Sequence, residues 1–185
     1  MITELSLEQF RNKITDIARS NRFEVEIVPP DEFRVYTKEQ YDVLSWTVES
    51  AQIPKRDVGE IVIKYHGMEL KLPGDYGKEN LTIGFLNTYE WYGRTFFENW
   101  MEYIQKINKE SGFQNNSDMP NSRASAFAAI DTALLKVKSL GRVGEVLSQY
   151  TFYNVFPTSI SSIDLSMSNE EVQKFTVTFA YSHFF

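Results

Sequence analysis

The clearest periodicity lies near the carboxy terminus, where Phe175, Val177, Phe179 and Tyr181 alternate with Lys174, Thr176, Thr178 and Ser182. A two-residue period sends successive side chains to opposite faces, the pattern of a half-buried strand. The same alternation runs through Phe23-Glu24-Val25-Glu26-Ile27-Val28 and stops at Pro29-Pro30, which cannot donate to a ladder. Ile61 to Tyr65 and Met68 to Leu72 flank His66-Gly67, a hairpin signal because Gly67 accepts a positive φ. Leu81 to Leu86 reads as another strand. So does Val43 to Ile53, with Leu44, Trp46 and Val48, after a polar connection reaching about Asp42. Pro54-Lys55-Arg56-Asp57 and the run Pro73 to Gly77 read as breaks. Thr132 to Lys138 and Val146 to Phe156 suit two further strands joined around Gly141 to Gly144. For Ala124 to Lys136 a helix stays open, since alanine and leucine favour one.

A three-four spacing appears twice. Leu7, Phe10, Ile14 and Ile17, with Ser6 and Gln9 as a capping box, predict an amino-terminal helix within residues 1–21. Phe96, Phe97, Trp100, Met101 and Ile104 predict a second over 93–108, with Glu98, Asn99, Glu102 and Lys106 on its other face. Residues 109–130 read as a polar loop. About seven strands and two helices without regular alternation predict a mainly β chain with flanking α-helices. The expected architecture is one domain over residues 1–185, an antiparallel sandwich or barrel, with 22–92 and 131–185 supplying the strands. Antiparallel sheets leave edges that must be closed, covered or paired with another copy.

Composition narrows the function classes. With 42% of its 185 residues hydrophobic and 15% aromatic, the chain can bury a sizeable core. It has no cysteine, hence no disulfide framework and no thiolate nucleophile. No apolar run approaches the ~20 residues of a membrane span, and MITELSLEQFRNK lacks the basic-then-apolar order of a secretion signal. Net charge is −6, and the 19 basic residues are scattered, with no cluster beyond Lys55-Arg56. A nucleic-acid grip needs a basic stripe, so tight binding of that kind is not expected.

Candidate chemistry is sparse. The two histidines, His66 and His183, have no second ligand pair at metal spacing. There is no G-x-S-x-G elbow and no phosphate-binding glycine loop; Gly74-Asp75-Tyr76-Gly77-Lys78 shares only its glycines with one. Glu24 and Glu26 share a strand face and could form a carboxylate dyad, yet alternating charges are what any half-exposed strand shows. The aromatic residues lack basic neighbours, so core or subunit packing suits them better than base stacking. No catalytic, cofactor or metal residues are assigned, and no enzyme is expected.

Ala18-Arg19-Ser20-Asn21-Arg22-Phe23-Glu24-Val25-Glu26-Ile27 resembles the helix exit and first strand of the tail tube proteins of contractile-tailed bacteriophages. Ser50-Ala51-Gln52-Ile53-Pro54, Tyr65-His66-Gly67 and Pro73-Gly74-Asp75 are similar to that family's proline step and hairpin. Leu81 to Asn87 with Arg94, Phe97 and Trp100-Met101 resembles its strand and "R-x-x-F-x-x-W" helix. Phe156-Pro157-Thr158-Ser159-Ile160, Ile163-Asp164-Leu165, Ser168-Asn169-Glu170 and Gln173 to Phe179 carry the most specific match. The resemblance runs from about Ala18 to Phe185; residues 29–42 and roughly 110–130 are longer than in the shortest relatives.

This resemblance implies a structural virion protein whose sheet joins its neighbours in a ring, six to a ring, with rings stacked into a hollow tail tube. The implied partners are further copies of itself, the tail sheath, the baseplate and the tape-measure protein, with DNA passing through and no membrane. Synthesis would be in the host cytoplasm and residence in the phage tail. A hexamer would carry 6 × −6 = −36, a wall expected to repel DNA. For inter-ring contacts the expected residues are Pro54, Lys55, Arg56, Asp57 and Val58, with His66 and Gly67 at the hairpin turn. Two alternatives stand beside this reading: a baseplate-proximal initiator or the tube subunit of a related contractile injection or secretion system, and a monomeric small-ligand β-barrel.

Overall fold

The computed structural model describes residues 18–30, 33, 38–110, 133–166 and 170–185. The expected amino-terminal helix and most of the expected polar loop, from 111 onward, lie outside these residues, as does 124–132. The described residues form ten strands and two helices. The strands are β1 (Phe23–Val28), β2 (Val48–Gln52), β3 (Arg56–Tyr65), β4 (Met68–Lys78) and β5 (Leu81–Leu86), then β6 (Leu134–Leu140), β7 (Val146–Tyr153), β8 (Phe156–Ile160), β9 (Lys174–Ala180) and β10 (His183–Phe184). Helix α1 spans Lys38–Trp46 and α2 spans Tyr92–Glu110.

Pairing is antiparallel throughout. Sheet 1 has the order β1-β6-β7-β10, sheet 2 the order β2-β5-β9-β8, and β3 and β4 form a separate two-stranded ribbon. Alternation decides the faces. In β1 and β6, Val25 opposes Val137 and Ile27 opposes Leu135 on the buried side. In β5 and β9, Leu81, Ile83 and Phe85 oppose Phe179, Val177 and Phe175 there. Helix α2 lays its apolar face on this inner side. The Phe97 ring lies 5.0 Å from Phe85, 5.1 Å from Phe96 and 5.7 Å from Phe179, while Phe175 stacks on Phe85 at 5.5 Å. Tilted and edge-on pairs at these distances suit the ring quadrupoles. Among the described residues no polar or charged side chain is buried in this core.

Several sequence readings shift. The strand expected over Val43 to Ile53 is a helix as far as Trp46 and a strand only from Val48. Tyr41 and Leu44 are three residues apart, so one helical face packs Leu44 into the core and sets Tyr41 5.9 Å from Phe96. Pro73 to Gly77 does not break β4, because a bulge absorbs it: Gly74 and Asp75 both oppose Gly59. Arg56 and Asp57, expected in a loop, already belong to β3. The run Val146 to Phe156 is two strands. Asn154, at φ 55°, turns the chain out of sheet 1, and β8 joins sheet 2. Helix α2 extends through Glu110, past the expected end. Leu134–Leu140 is a strand, which settles the described part of the open segment.

The outer side of β1 and β6 is ionic. Lys136 Nζ lies 3.0 Å from Glu26, and Lys138 Nζ lies 3.1 Å from Glu26 and 3.4 Å from Glu24. The suspected Glu24/Glu26 dyad is thus a pair of lysine-bound carboxylates across the β1–β6 ladder. Partial burial pushes the Glu26 carboxyl up, but hydrogen bonds and charge from Lys136 and Lys138 outweigh it and hold the group below the usual glutamate value. A depressed folded pKa stabilises above the unfolded pKa and is lost as pH falls through the folded one.

Stability is therefore expected to fall as pH drops below about 4.5, the ordinary glutamate value. Glu26→Gln should flatten that dependence and cost at most about 1 kcal/mol at neutral pH, since the pair is partly solvated. Urea melts from pH 3 to 7 check this, and an unchanged slope in the variant contradicts it. Phe97→Ala, by contrast, should cost about 3–5 kcal/mol in the same melts, because it empties the centre of the ring cluster.

Candidate assembly surface

The β3–β4 ribbon has no core of its own. Every residue of β3 is exposed, and in β4 only Gly74 is partly covered. An isolated two-stranded ribbon is marginal in water. Its register makes it amphipathic: Ile61 opposes Leu72, Ile63 opposes Leu70 and Tyr65 opposes Met68, so these six side chains share one face. Ile63 is 44% exposed, Tyr65 68% and Met68 72%, so nothing among the described residues seals that face. The opposite face is ionic, with Lys64 3.3 Å from Glu69 and Lys71 2.8 Å from Glu60. An apolar sheet face left open among the described residues is a candidate interaction surface.

At the tip, His66 (φ 47°) and Gly67 (φ 81°) are both left-handed, the pairing that a two-residue turn of matching twist needs. At the bulge, Gly59 and Gly74 approach so closely that a Cβ on Gly59 would lie 3.0 Å from the Asp75 carbonyl, and one on Gly74 3.1 Å from Gly59. The base is tied to the carboxy-terminal strand. The Arg56 guanidinium lies 4.4 Å over the Phe184 ring, a cation–π contact, and Lys78 Nζ donates to the Ser182 carbonyl at 2.7 Å. Lys55 bridges Asp57 at 2.6 Å and Glu79 at 3.3 Å, and both carboxylates hold its ammonium above the usual range. Burial pushes the Tyr181 phenol up; the Glu79 charge adds to this and Arg56 opposes it.

The residues expected at assembly contacts thus fall at two ends of one ribbon. Buried Pro54, exposed Lys55, Arg56, Asp57 and Val58 are its base, and His66-Gly67 its tip. They are not brought together: Val58 and Tyr65 are seven residues apart, ~23 Å along an extended strand. Between them lies the apolar face, which holds none of the expected contact residues. Its alternation was plain, but the pattern alone does not say whether a second layer covers it.

The sheet edges form the other candidate surface. In sheet 1 the β1 edge is covered by α1, where the Ser45 hydroxyl donates to the Val25 carbonyl. The other margin holds two-residue β10 and the reciprocal Thr151–Phe185 bonds of 2.9 and 3.1 Å. In sheet 2, β2 and β8 are the edges, and no backbone bond among the described residues closes the outer side of either. No group of three or more His, Cys, Asp or Glu that could hold a metal occurs among the described residues. No described helix is long and apolar enough to cross a membrane.

The phage tail tube protein family matches residues 18–185. The chain belongs to that family. No curated protein matches it by sequence. Among solved structures, the tube terminator of an extracellular contractile injection system, with sheath and tube extended, is similar at a TM-score of 0.59 and 15% identity, covering 93% of this chain and 97% of that one. The tube-terminating cap of the anti-feeding prophage gives 0.59 and 18%, covering 92% and 90%. The extended sheath–tube complex of the first system gives 0.54 and 16%, covering 97% and 96%. At these identities they establish the shared fold, the tail-tube fold expected from the sequence. A structural tail-tube role follows for this family member, and its uncovered ribbon suits a subunit built to be completed by neighbours.

Ile63→Lys with Leu70→Glu, placed opposite each other on the apolar face, should abolish higher-order assembly while moving the melting temperature of the isolated subunit by no more than about 2 °C. Light scattering alongside thermal melts checks this, with Lys64→Ala on the ionic face as the control. Equal loss of assembly in the control contradicts a role for the apolar face in particular.

Proposed function

We propose that six copies join through sheet 2 into a closed ring, that rings stack through the β3–β4 ribbon, and that the resulting tube carries the phage genome during ejection. The observation that carries the ring is the pair of sheet 2 margins, β2 and β8. Their outer sides have no backbone partner among the described residues, while the Ser45 hydroxyl of α1 reaches the β1 edge of sheet 1. An open edge is a template for another strand, and closure into a barrel is one way to remove it. Four strands from each of six copies give 6 × 4 = 24 strands in the closed wall.

Stacking uses the ribbon. Its apolar face can be buried against the adjoining ring, with Pro54, Lys55, Arg56, Asp57 and Val58 setting the angle at the base and His66-Gly67 reaching furthest. The tail sheath would pack outside the tube and the baseplate at one end, with the tape-measure protein in the bore before DNA. The role is steric and mechanical, without an enzymatic step.

Negative-stain electron microscopy of the purified chain tests this reading. Hollow tubes of uniform diameter are expected, with six-fold symmetry in end views. Rings that never stack would instead indicate an end-of-tube subunit such as an initiator or terminator. A strictly monomeric protein at millimolar concentration would overturn the proposal.

A further inference from the structure

We infer that the outward face of sheet 2 forms the bore and that this wall is charge-balanced, so the conduit admits its cargo by width and without preference for charge sign. The inference rests on the ring reading above. The four strands of sheet 2 contain only two charged residues, Glu49 and Lys174, and these form a salt bridge with each other across β5. The remaining outward positions are uncharged: Ser50, Gln52, Thr82, Gly84, Thr176, Thr178 and Ala180, with Phe156 and Ser159 on β8. Leu86 is half-buried beside Lys174, and no outward position of β5 or β9 holds an aromatic ring. Such a face has no free cation to grip phosphates, and its one ring, Phe156, sits on the edge strand β8 and offers no run of stacking platforms. It also has no surplus of carboxylates to push a polyanion away.

The net charge of −6 therefore sits elsewhere. Sheet 1 balances Glu24 and Glu26 against Lys136 and Lys138. The ribbon balances four acidic against four basic residues over β3 and β4, and α2 balances three against three. The connection 161–173 between β8 and β9 holds Asp164, Glu170 and Glu171 with no lysine or arginine, which is −3 of the −6. The expected −36 of a hexamer thus does not describe its wall, because the strands of sheet 2 carry no net charge. Asp164 and Glu171 line one pocket with Lys174 at the end of β9, and with a screening length of ~8 Å at physiological salt their charge fades toward the strand centres. A hydroxyl-lined, water-covered wall leaves the passing polymer nothing to bind.

The absence of cysteine makes the test direct, since one introduced thiol is a clean reporter. Thr178→Cys places it on the outward face of sheet 2, Gln149→Cys on the outward face of sheet 1, and Ser162→Cys beside Asp164. In assembled tubes each thiol reacts with a cationic and with an anionic methanethiosulfonate, and the rate ratio is divided by that of free cysteine. For Thr178→Cys the normalised ratio should stay within about twofold of one between roughly 0.01 and 0.5 M salt, whereas Ser162→Cys should favour the cationic reagent by roughly tenfold at low salt. A maleimide on a large polymer should label Gln149→Cys and spare Thr178→Cys. A cationic preference at Thr178→Cys equal to that at Ser162→Cys, or the reverse labelling by the bulky reagent, overturns the inference. Should Thr178→Cys block assembly, Thr82→Cys, its direct cross-strand partner, reports the same face. Failure of the unaltered chain to form tubes overturns the ring reading, and is distinguished from a wrong ratio in tubes that do form.

Discussion

Each strand at the margin of a sheet leaves a row of N–H and C=O groups that something must satisfy. This chain answers that requirement in two ways. On sheet 1 it spends its own helix, α1, and a serine hydroxyl on the β1 edge. On sheet 2 it leaves the outer sides of β2 and β8 without backbone partners among the described residues. Pro157 within β8 fits an edge position, since proline lacks the donor that a central strand requires. The asymmetry turns a two-sheet subunit into a building unit, and the ring reading depends on it.

The interior supplies the rigidity such a unit needs. Both sheets and α2 meet in a core that is wholly apolar among the described residues, with the Phe97 ring in contact with Phe85, Phe175 and Phe179. That packing sets the rings of α2 against those of β5 and β9. Polar groups are sent to the faces, where lysine–glutamate pairs cancel strand by strand. Cancellation leaves the sheets neutral although the chain as a whole is acidic.

The ribbon inverts the rule that governs the core. Its six apolar side chains alternate as regularly as those of β9, yet they remain in water within the single chain. Burying them against another copy removes a large apolar area from solvent, the driving term in most protein association. The close Gly59–Gly74 approach sets the ribbon's direction at its base, where an added methyl would press on backbone atoms.

Alternation over Phe23 to Val28, Leu81 to Leu86 and Phe175 to Tyr181, and the three-four spacing from Phe96 to Ile104, determined the strands and the helix of the core by sequence alone. Local periodicity suffices there because each element buries one face and the side chains must follow it. The left-handed turn at His66-Gly67 was legible for the same local reason. What the tertiary structure decided is what lies beyond one element. Lys38–Trp46 became a helix because Leu44 and Tyr41 find the core from one helical face, which no pattern of nine residues announces. Phe156 parted from Val146–Tyr153 because Asn154 turns the chain toward another sheet. The exposure of Ile61, Ile63 and Leu70, and the neutrality of the sheets within an acidic chain, depend on which strands lie side by side. Burial and charge pairing are relations between distant residues, and only the folded chain brings those residues together.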